Sequence, residues 1–450
     1  MIGSNDQDEW MGLLRDGLER LEEGFAWLPE YASSAVAKGP QASAVMAQVA
    51  SRLTDNYPYF HPLYAGQMLK PPHPVAQAAY ALAMTINPNN HARDGGRASS
   101  AMEIEAVAGI AQMFGWGETG GFLGHLTSGG TFANLEALWI SGQLAPGKVV
   151  LASEQAHYTH RRITAVLGIP FEAVRCDDRG RMDLNALEDA LRRGNVGTVV
   201  ATLGTTALGA VDPLAEILAL RERYGFRVHV DAAYGGYFRL IRSELGESAA
   251  SAFEAVERVD SIVVDPHKHG LQPYGCGCVL FRDAGVGRFY KHDSPYTYFT
   301  STELHLGEIS LECSRAGAAA VALWATQKLL PLVESGEPED GLACGLAAGH
   351  RAAKELDRRL REDPRFSPLP CGPELDIVVW RVPGESNRAQ QIFEACEAHG
   401  LHLALVQLPG RFFEANELEM VQCLRSVLMK PEHEEWLPEI WRRLSVAAER

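Results

Sequence analysis

The sequence has no surplus of positive charge. Its 41 Lys and Arg stand against 57 Asp and Glu in 450 residues, a formal net charge of -16, so a nucleic-acid backbone or an anionic membrane surface would repel it. Long apolar runs are missing too. The richest stretch, "AGAAAVALWA" at 316–325, is about half of what a membrane span needs. The opening "MIGSNDQDEW" lacks the basic and apolar regions of a secretory signal, and the expected location is the cytoplasm. Cysteine is sparse: eight residues, scattered, fit reduced and mostly buried thiols rather than a disulfide framework. The absence of repeats and low-complexity tracts excludes solenoids and disordered arms. Zinc spacing is absent as well. "CGC" at 276–278 and the pair His267 and His269 have no second Cys or His pair beside them, and Cys276 and Cys278, two apart, read as packed strand residues. "GWGETG" at 115–120 follows a helix-like run rather than a strand, so it reads as a turn and not a dinucleotide site.

What remains is a soluble multi-domain chain built for a small ligand. Residues 1–95 read as an N-terminal helical segment with loops rich in Pro, His and Asn, suited to dimerisation and a pocket rim. From 96 to 335, helical patterns alternate with β-branched runs, the mark of an α/β domain with a parallel sheet. The runs are "KVVLAS" (148–153), "GTVVATL" (197–203), "FRVHV" (226–230), "SIVV" (261–264) and "CVLF" (278–281). The polar stretch "VESGEPEDG" (333–341) marks a boundary, and residues 336–450 read as a smaller C-terminal α/β domain.

In open α/β sheets ligands sit beyond the carboxyl ends of the strands. There the sequence places Gly204, Thr205 and Thr206 after one run, Asp231 after the next and Lys268 after a third. "HLTSGGTFANLEAL" (125–138) adds Ser128, Gly129 and Gly130 just before an amphipathic helix, where small residues and the helix N-terminus suit a phosphate. Taken singly, each has a bland explanation: a capped helix, a turn, a solvated lysine. Together they match one cofactor. Pyridoxal phosphate needs a lysine for its Schiff base, a carboxylate to keep the pyridine nitrogen protonated, and a phosphate cup.

With these residues in hand, the chain resembles the group II pyridoxal-phosphate-dependent amino acid decarboxylases, which include aromatic-L-amino-acid and glutamate decarboxylases. The similarity covers roughly residues 55–445 and is carried by "TSGGTFAN", "SEQAHYTHRR", "LGTTALGAVDPL", "HVDAAYGG" and "DPHKHG". "DSPYTY" also looks like the archaeal tyrosine/aspartate decarboxylase branch. The resemblance implies fold type I, an aspartate aminotransferase-like architecture with a mostly parallel seven-stranded sheet, and a homodimer with shared active sites. It implies decarboxylation of an L-amino acid to its amine and carbon dioxide, through a Lys268 Schiff base and a quinonoid intermediate. Lys268 matches the Schiff-base lysine, Asp231 the partner of the ring nitrogen, and His157 the histidine stacked on the ring. Thr206 and Ala233 line the cofactor, while Ser128, Gly129, Gly130, Asp265 and His267 surround the phosphate. Where many relatives carry Asn, this chain carries Asp265.

Residues 284–305 combine glycines, polar residues and three tyrosines, as a mobile lid does. By resemblance Tyr296 is the proton donor, with Tyr298 the runner-up. Arg425 resembles an arginine near the substrate carboxylate, although an alternating strand could equally leave it in a surface ion pair. Phe60, His61, Tyr64, Asn89, Asn90 and His91 are expected at the pocket rim, mildly favouring an aromatic substrate, while Arg93 and Arg97 keep an acidic one open. An aminotransferase, an aldehyde synthase or a carbon–carbon lyase shares the same cofactor residues, and a regulatory protein that binds the cofactor without catalysis is the rival outside enzymology.

Overall fold

The β-branched runs become the strands of a central sheet. The computed structural model describes residues 4–30, 39–117, 121–291, 306–334, 341–413 and 420–449. Among them, seven strands form that sheet: β1 (Leu123–Thr127), β2 (Val149–Ser153), β3 (Phe171–Val174), β4 (Val196–Thr202), β5 (Arg227–Asp231), β6 (Ser261–Val264) and β7 (Gly277–Phe281). Their order is β1-β7-β6-β5-β4-β2-β3. Strands β3, β2, β4, β5 and β6 pair in parallel, and β7 runs antiparallel to β6 and β1. The sheet is therefore mostly parallel, as expected for fold type I.

Five strands coincide with the expected runs to within a residue at either end; β1 and β3 went unforeseen. β1 contains Gly124 and His125, poor strand formers taken alone. Gly124 is there because its backbone lies against β7: a Cβ would stand 2.3 Å from Leu280 Cδ2. β3 is a short edge strand with two of its four residues exposed, so it shows little hydrophobic pattern.

Strands β4, β5 and β6 are buried at nearly every residue, which requires cover on both faces of the sheet. One covering helix, Gly130–Leu144, packs against β1, β4, β5, β6 and β7 and so lies across the sheet with its N-terminus at the strands' carboxyl ends. Local chemistry sets the helix limits. Asp183 accepts hydrogen bonds from the Asn185 and Ala186 N–H groups to start the helix Leu184–Arg192. Gly225, at φ 70°, closes Leu214–Tyr224 in the left-handed region.

A second sheet has order β10-β11-β9-β8, all antiparallel. It comprises β8 (Ser367–Pro368), β9 (Ile377–Arg381), β10 (Ala404–Pro409) and β11 (Met420–Val427). The helices Leu342–Glu362, Arg388–Ala398 and His433–Ala448 pack on it around the fully buried Trp380. Of the expected boundary at 333–341, residues 335–340 lie outside the described residues.

Candidate active site

Four strand ends converge on one cavity of about 360 Å3, within the size range of small-molecule sites. β1 leads into Ser128, Gly129 and Gly130; β4 leads into Gly204 and Thr206; β5 ends on Asp231 and continues to Ala233; β6 leads into Asp265, His267 and Lys268. Together with His157, every residue expected to bind the cofactor lines this cavity.

The floor requires glycine. Gly129 has φ 148°, in the region that side chains rarely adopt. A Cβ on Gly130 would stand 2.7 Å from Asp265 Oδ2. The Lys268 ammonium lies 3.1 Å from that same oxygen, with His267 Nε2 at 3.6 Å. Asp265 Oδ1 is buried and has no hydrogen-bond partner among the described residues. So Asp265 pairs with the lysine beside the N-terminus of the helix Gly130–Leu144. His267 Nδ1 donates to the Cys276 carbonyl at 2.7 Å, and burial lowers its pKa. The loop returns through Leu271, at φ 61°, whose carbonyl accepts the His73 N–H at 2.9 Å.

Asp231 faces the cavity from the opposite side. It is 5% exposed, and burial alone would raise its pKa. The His160 contact at 2.9 Å, the Ala233 N–H at 3.1 Å and the charge of Lys268 outweigh that and hold it well below the usual carboxylate range. His229, two residues earlier on the same face of β5, contacts Asn134 Oδ1 at 2.9 Å, and the Asn134 amide donates to the Gly130 carbonyl. One strand thus positions both the carboxylate and the first turn of the helix. His157 Nδ1 lies 2.8 Å from Thr159 Oγ1; burial lowers its pKa and favours the neutral ring.

Arg425 is buried, not in a surface ion pair. It donates to the carbonyls of Thr206 (2.7 Å), Gly66 (3.0 Å) and Ala207 (3.2 Å) and to Gln67 Oε1 (3.3 Å). It has no carboxylate partner among the described residues. The guanidinium lines a second cavity of about 330 Å3 that meets the first at His157 and Thr206.

The other expected substrate residues do not line either cavity within the chain. Asn90 is 0% exposed; its amide donates to Glu103 Oε2 at 2.7 Å and its carbonyl oxygen faces Ser99. It is a structural residue, and the expectation of ligand contact is corrected by its burial. Tyr64 is 4% exposed, its ring edge-on to Tyr59 and its carbonyl accepting Lys430 Nζ. His61 accepts the Leu63 N–H and lies against Trp436, and the His91 carbonyl accepts the Gly307 N–H. Tyr296 and Tyr298 lie outside the described residues. Missed from the sequence were Gln67, Asn134, Tyr234 and His160. Of these only His160 carried a signal, its spacing three residues after His157 at a helix start.

A half-buried lysine, an ionised carboxylate and a glycine-floored helix end around one cavity of this sheet fit a pyridoxal phosphate: covalent anchor, ring-nitrogen partner and phosphate site. Fold and site define a pyridoxal-phosphate-binding protein. The chain belongs to the pyridoxal-dependent decarboxylase family, whose model (pyridoxal-dependent decarboxylase conserved domain) matches residues 43–383. It is 29% identical over 420 residues to an L-tyrosine decarboxylase of Enterococcus faecium, covering 70% of this chain and 67% of that protein. It is 32% identical over 329 residues to an L-2,4-diaminobutyrate decarboxylase of Rhizobium meliloti, covering 68% and 63%. A probable L-tyrosine/L-aspartate decarboxylase of Methanothermobacter thermautotrophicus is 32% identical over 207 residues, 46% of this chain and 55% of that protein. The chain thus spans roughly half to two thirds of these relatives. Solved structures share the fold: mouse CSAD (21% identity, TM-score 0.78) and Oryza sativa TDC with PLP and tryptamine (18%, 0.78), each alignment covering 99% of this chain and 98% of the other.

Proposed function

We propose that this chain decarboxylates an L-amino acid to its amine and carbon dioxide, with an aromatic amino acid slightly favoured. The observation that carries the reading is the meeting of Lys268, Asp231 and the N-terminus of the helix Gly130–Leu144 on one cavity. Bound there, pyridoxal phosphate supplies the electron sink for the negative charge left when carbon dioxide departs.

Lys268 is the covalent anchor, its ammonium balanced by Asp265 until it gives up its proton. Asp231, ionised by its hydrogen bonds, keeps the proton on the ring nitrogen. Ser128, Gly129 and Gly130 take the phosphate, with Asp265 and His267 beside it. Neutral His157 covers the ring face, and Thr206 and Ala233 line its edges. The second cavity, with Arg425 and Gln67 on its wall, takes the rest of the substrate; a buried guanidinium without a carboxylate partner is suited to an incoming one. Tyr296 delivers the proton to the α carbon, with Tyr298 as the alternative. The aromatic preference is supported by the tyrosine decarboxylases among the relatives, and diaminobutyrate relatives keep a second class in the test.

The working unit is proposed to be a homodimer in the cytoplasm. The helix Pro40–Leu53 has no buried residue, yet it exposes Val45 at 51%, Val49 at 42% and Leu53 at 62% four residues apart along one face, with Met46 at 64% beside them. Such a patch calls for cover, and a second copy supplies it. Among the described residues no helix is long and apolar enough to cross a membrane. The test is incubation of the cofactor-loaded protein with each L-amino acid and mass spectrometry of the products. An amine is expected; a keto acid or an aldehyde as the main product, or no turnover of any amino acid, overturns the proposal.

A further inference from the structure

Behind Asp231, on the side away from the cavity, stands a second titratable group. His160 is 1% exposed and does not line the cavity. It comes from the first turn of the helix Thr159–Leu167, and its Nε2 lies 2.9 Å from Asp231 Oδ2. Its other nitrogen, Nδ1, is buried and has no hydrogen-bond partner among the described residues. A proton on Nδ1 would be an orphaned buried donor, whereas a proton on Nε2 points at a carboxylate. The geometry therefore places a proton on Nε2, and Asp231 receives a hydrogen bond from it.

The neighbouring groups leave that arrangement undisturbed. His229 has both nitrogens occupied, by Ser261 Oγ at 2.9 Å and Asn134 Oδ1 at 2.9 Å, and burial pushes its pKa down to about 3, so it adds no charge. Among the described residues the other hydrogen bond to the carboxylate is the Ala233 N–H on Oδ1. Two donors on Asp231 stabilise its anion over its neutral acid. In a pair made of this carboxylate and a pyridine nitrogen, stabilising the anion moves the shared proton towards the ring.

We propose that His160 is a positioning residue that acts through Asp231: its Nε2–H holds the carboxylate as an anion and so keeps the cofactor's ring nitrogen protonated. This rests on the reading above that Asp231 meets the ring nitrogen. His160 touches neither cofactor nor substrate; it sets the electron sink from behind.

The test compares wild type, His160→Phe, which keeps an aromatic ring and loses the donor, and His160→Gln, which keeps an N–H. Each is loaded with pyridoxal phosphate and read by the absorption spectrum of the bound cofactor at one pH, by cofactor Kd, and by kcat and KM. His160→Phe is expected to stay folded by circular dichroism, redistribute the cofactor's absorption bands, and lose about 10- to 100-fold in kcat with little change in KM, the loss of one hydrogen bond to a charged group. His160→Gln should restore the wild-type spectrum. A wild-type spectrum and kcat in His160→Phe overturn the inference. If His160→Phe does not fold, nitrogen-15 NMR of the histidine rings in wild type, with His160 assigned through His160→Gln, decides: a proton on Nε2 is expected, and a ring with bare Nε2 overturns it. The underlying reading fails separately, if Asp231→Asn itself leaves spectrum and kcat unchanged.

Discussion

Gly130→Ala adds one methyl group to the proposed phosphate cup, and its consequences divide cleanly. Gly130 opens the helix Gly130–Leu144 and is absent from the residues with positive φ, so alanine is unstrained there. Its helix propensity favours alanine by about 1 kcal/mol. Against this, the new Cβ would stand 2.7 Å from Asp265 Oδ2 and 2.9 Å from Oδ1. Ordinary contact begins near 3.4 Å, so the carboxylate must retreat by roughly 0.7 Å. Asp265 is 3% exposed and tied to Lys268 at 3.1 Å, which makes the retreat costly; overpacking of this kind costs about 1–3 kcal/mol. The net stability loss is then about 0–2 kcal/mol, but the methyl also stands in the wall of the cavity proposed to take the phosphate. Cofactor Kd should rise about 5- to 100-fold. Fluorescence titration with pyridoxal phosphate and denaturant unfolding of the cofactor-free protein measure the two effects. The double variant Gly130→Ala, Asp265→Ala removes the obstacle, and its unfolding free energy should exceed the additive expectation by about 1 kcal/mol. A cofactor Kd within twofold of wild type, together with strict additivity, would refute the reasoning.

Tyr296→Phe should suppress amine formation while leaving cofactor Kd unchanged; undiminished amine production removes Tyr296 from the proposal. Arg425→Ala should raise the substrate KM about tenfold or more, as expected for a lost charge-assisted hydrogen bond, and an unchanged KM would exclude it from the substrate site. Asp376, 1% exposed and bonded to the Tyr234 hydroxyl at 2.6 Å, has its pKa raised from 3.8 to about 6, chiefly by burial. The folded chain holds this proton where the unfolded chain has lost it, so the group's contribution is full below pH 4 and declines as pH rises to about 6. Asp376→Asn should therefore gain stability relative to wild type across pH 4–6, by up to about 3 kcal/mol, and level off above. Urea unfolding at a series of pH values checks this, and a pH-independent difference would contradict it.

The sequence by itself determined which residues meet on the first cavity, the proposed cofactor site, and the class of sheet that presents them. Lys268, Thr206 and Gly130 each follow a strand end and Asp231 forms one, and in a parallel sheet the strand ends share one edge, so spacing along the chain already implied proximity in space. Five strands were legible because β-branched runs buried on both faces leave an unbroken apolar signature. β1 and β3 were not, since one owes its pairing to a close glycine approach and the other is a half-exposed edge. Only tertiary structure decided the rest. Arg425 meets Gln67 across 358 residues of chain and the Gly66 carbonyl across 359, a pairing that no local pattern encodes. Asn90 looked like a pocket residue and lies at 0% exposure beside Glu103, because burial depends on what folds over a loop and not on its composition. The same holds for Asp265 and His160. A carboxylate beside the proposed phosphate cup is paired by the ammonium 3.1 Å away, and a histidine becomes a partner of Asp231 only when a helix end and a strand end are packed to 2.9 Å.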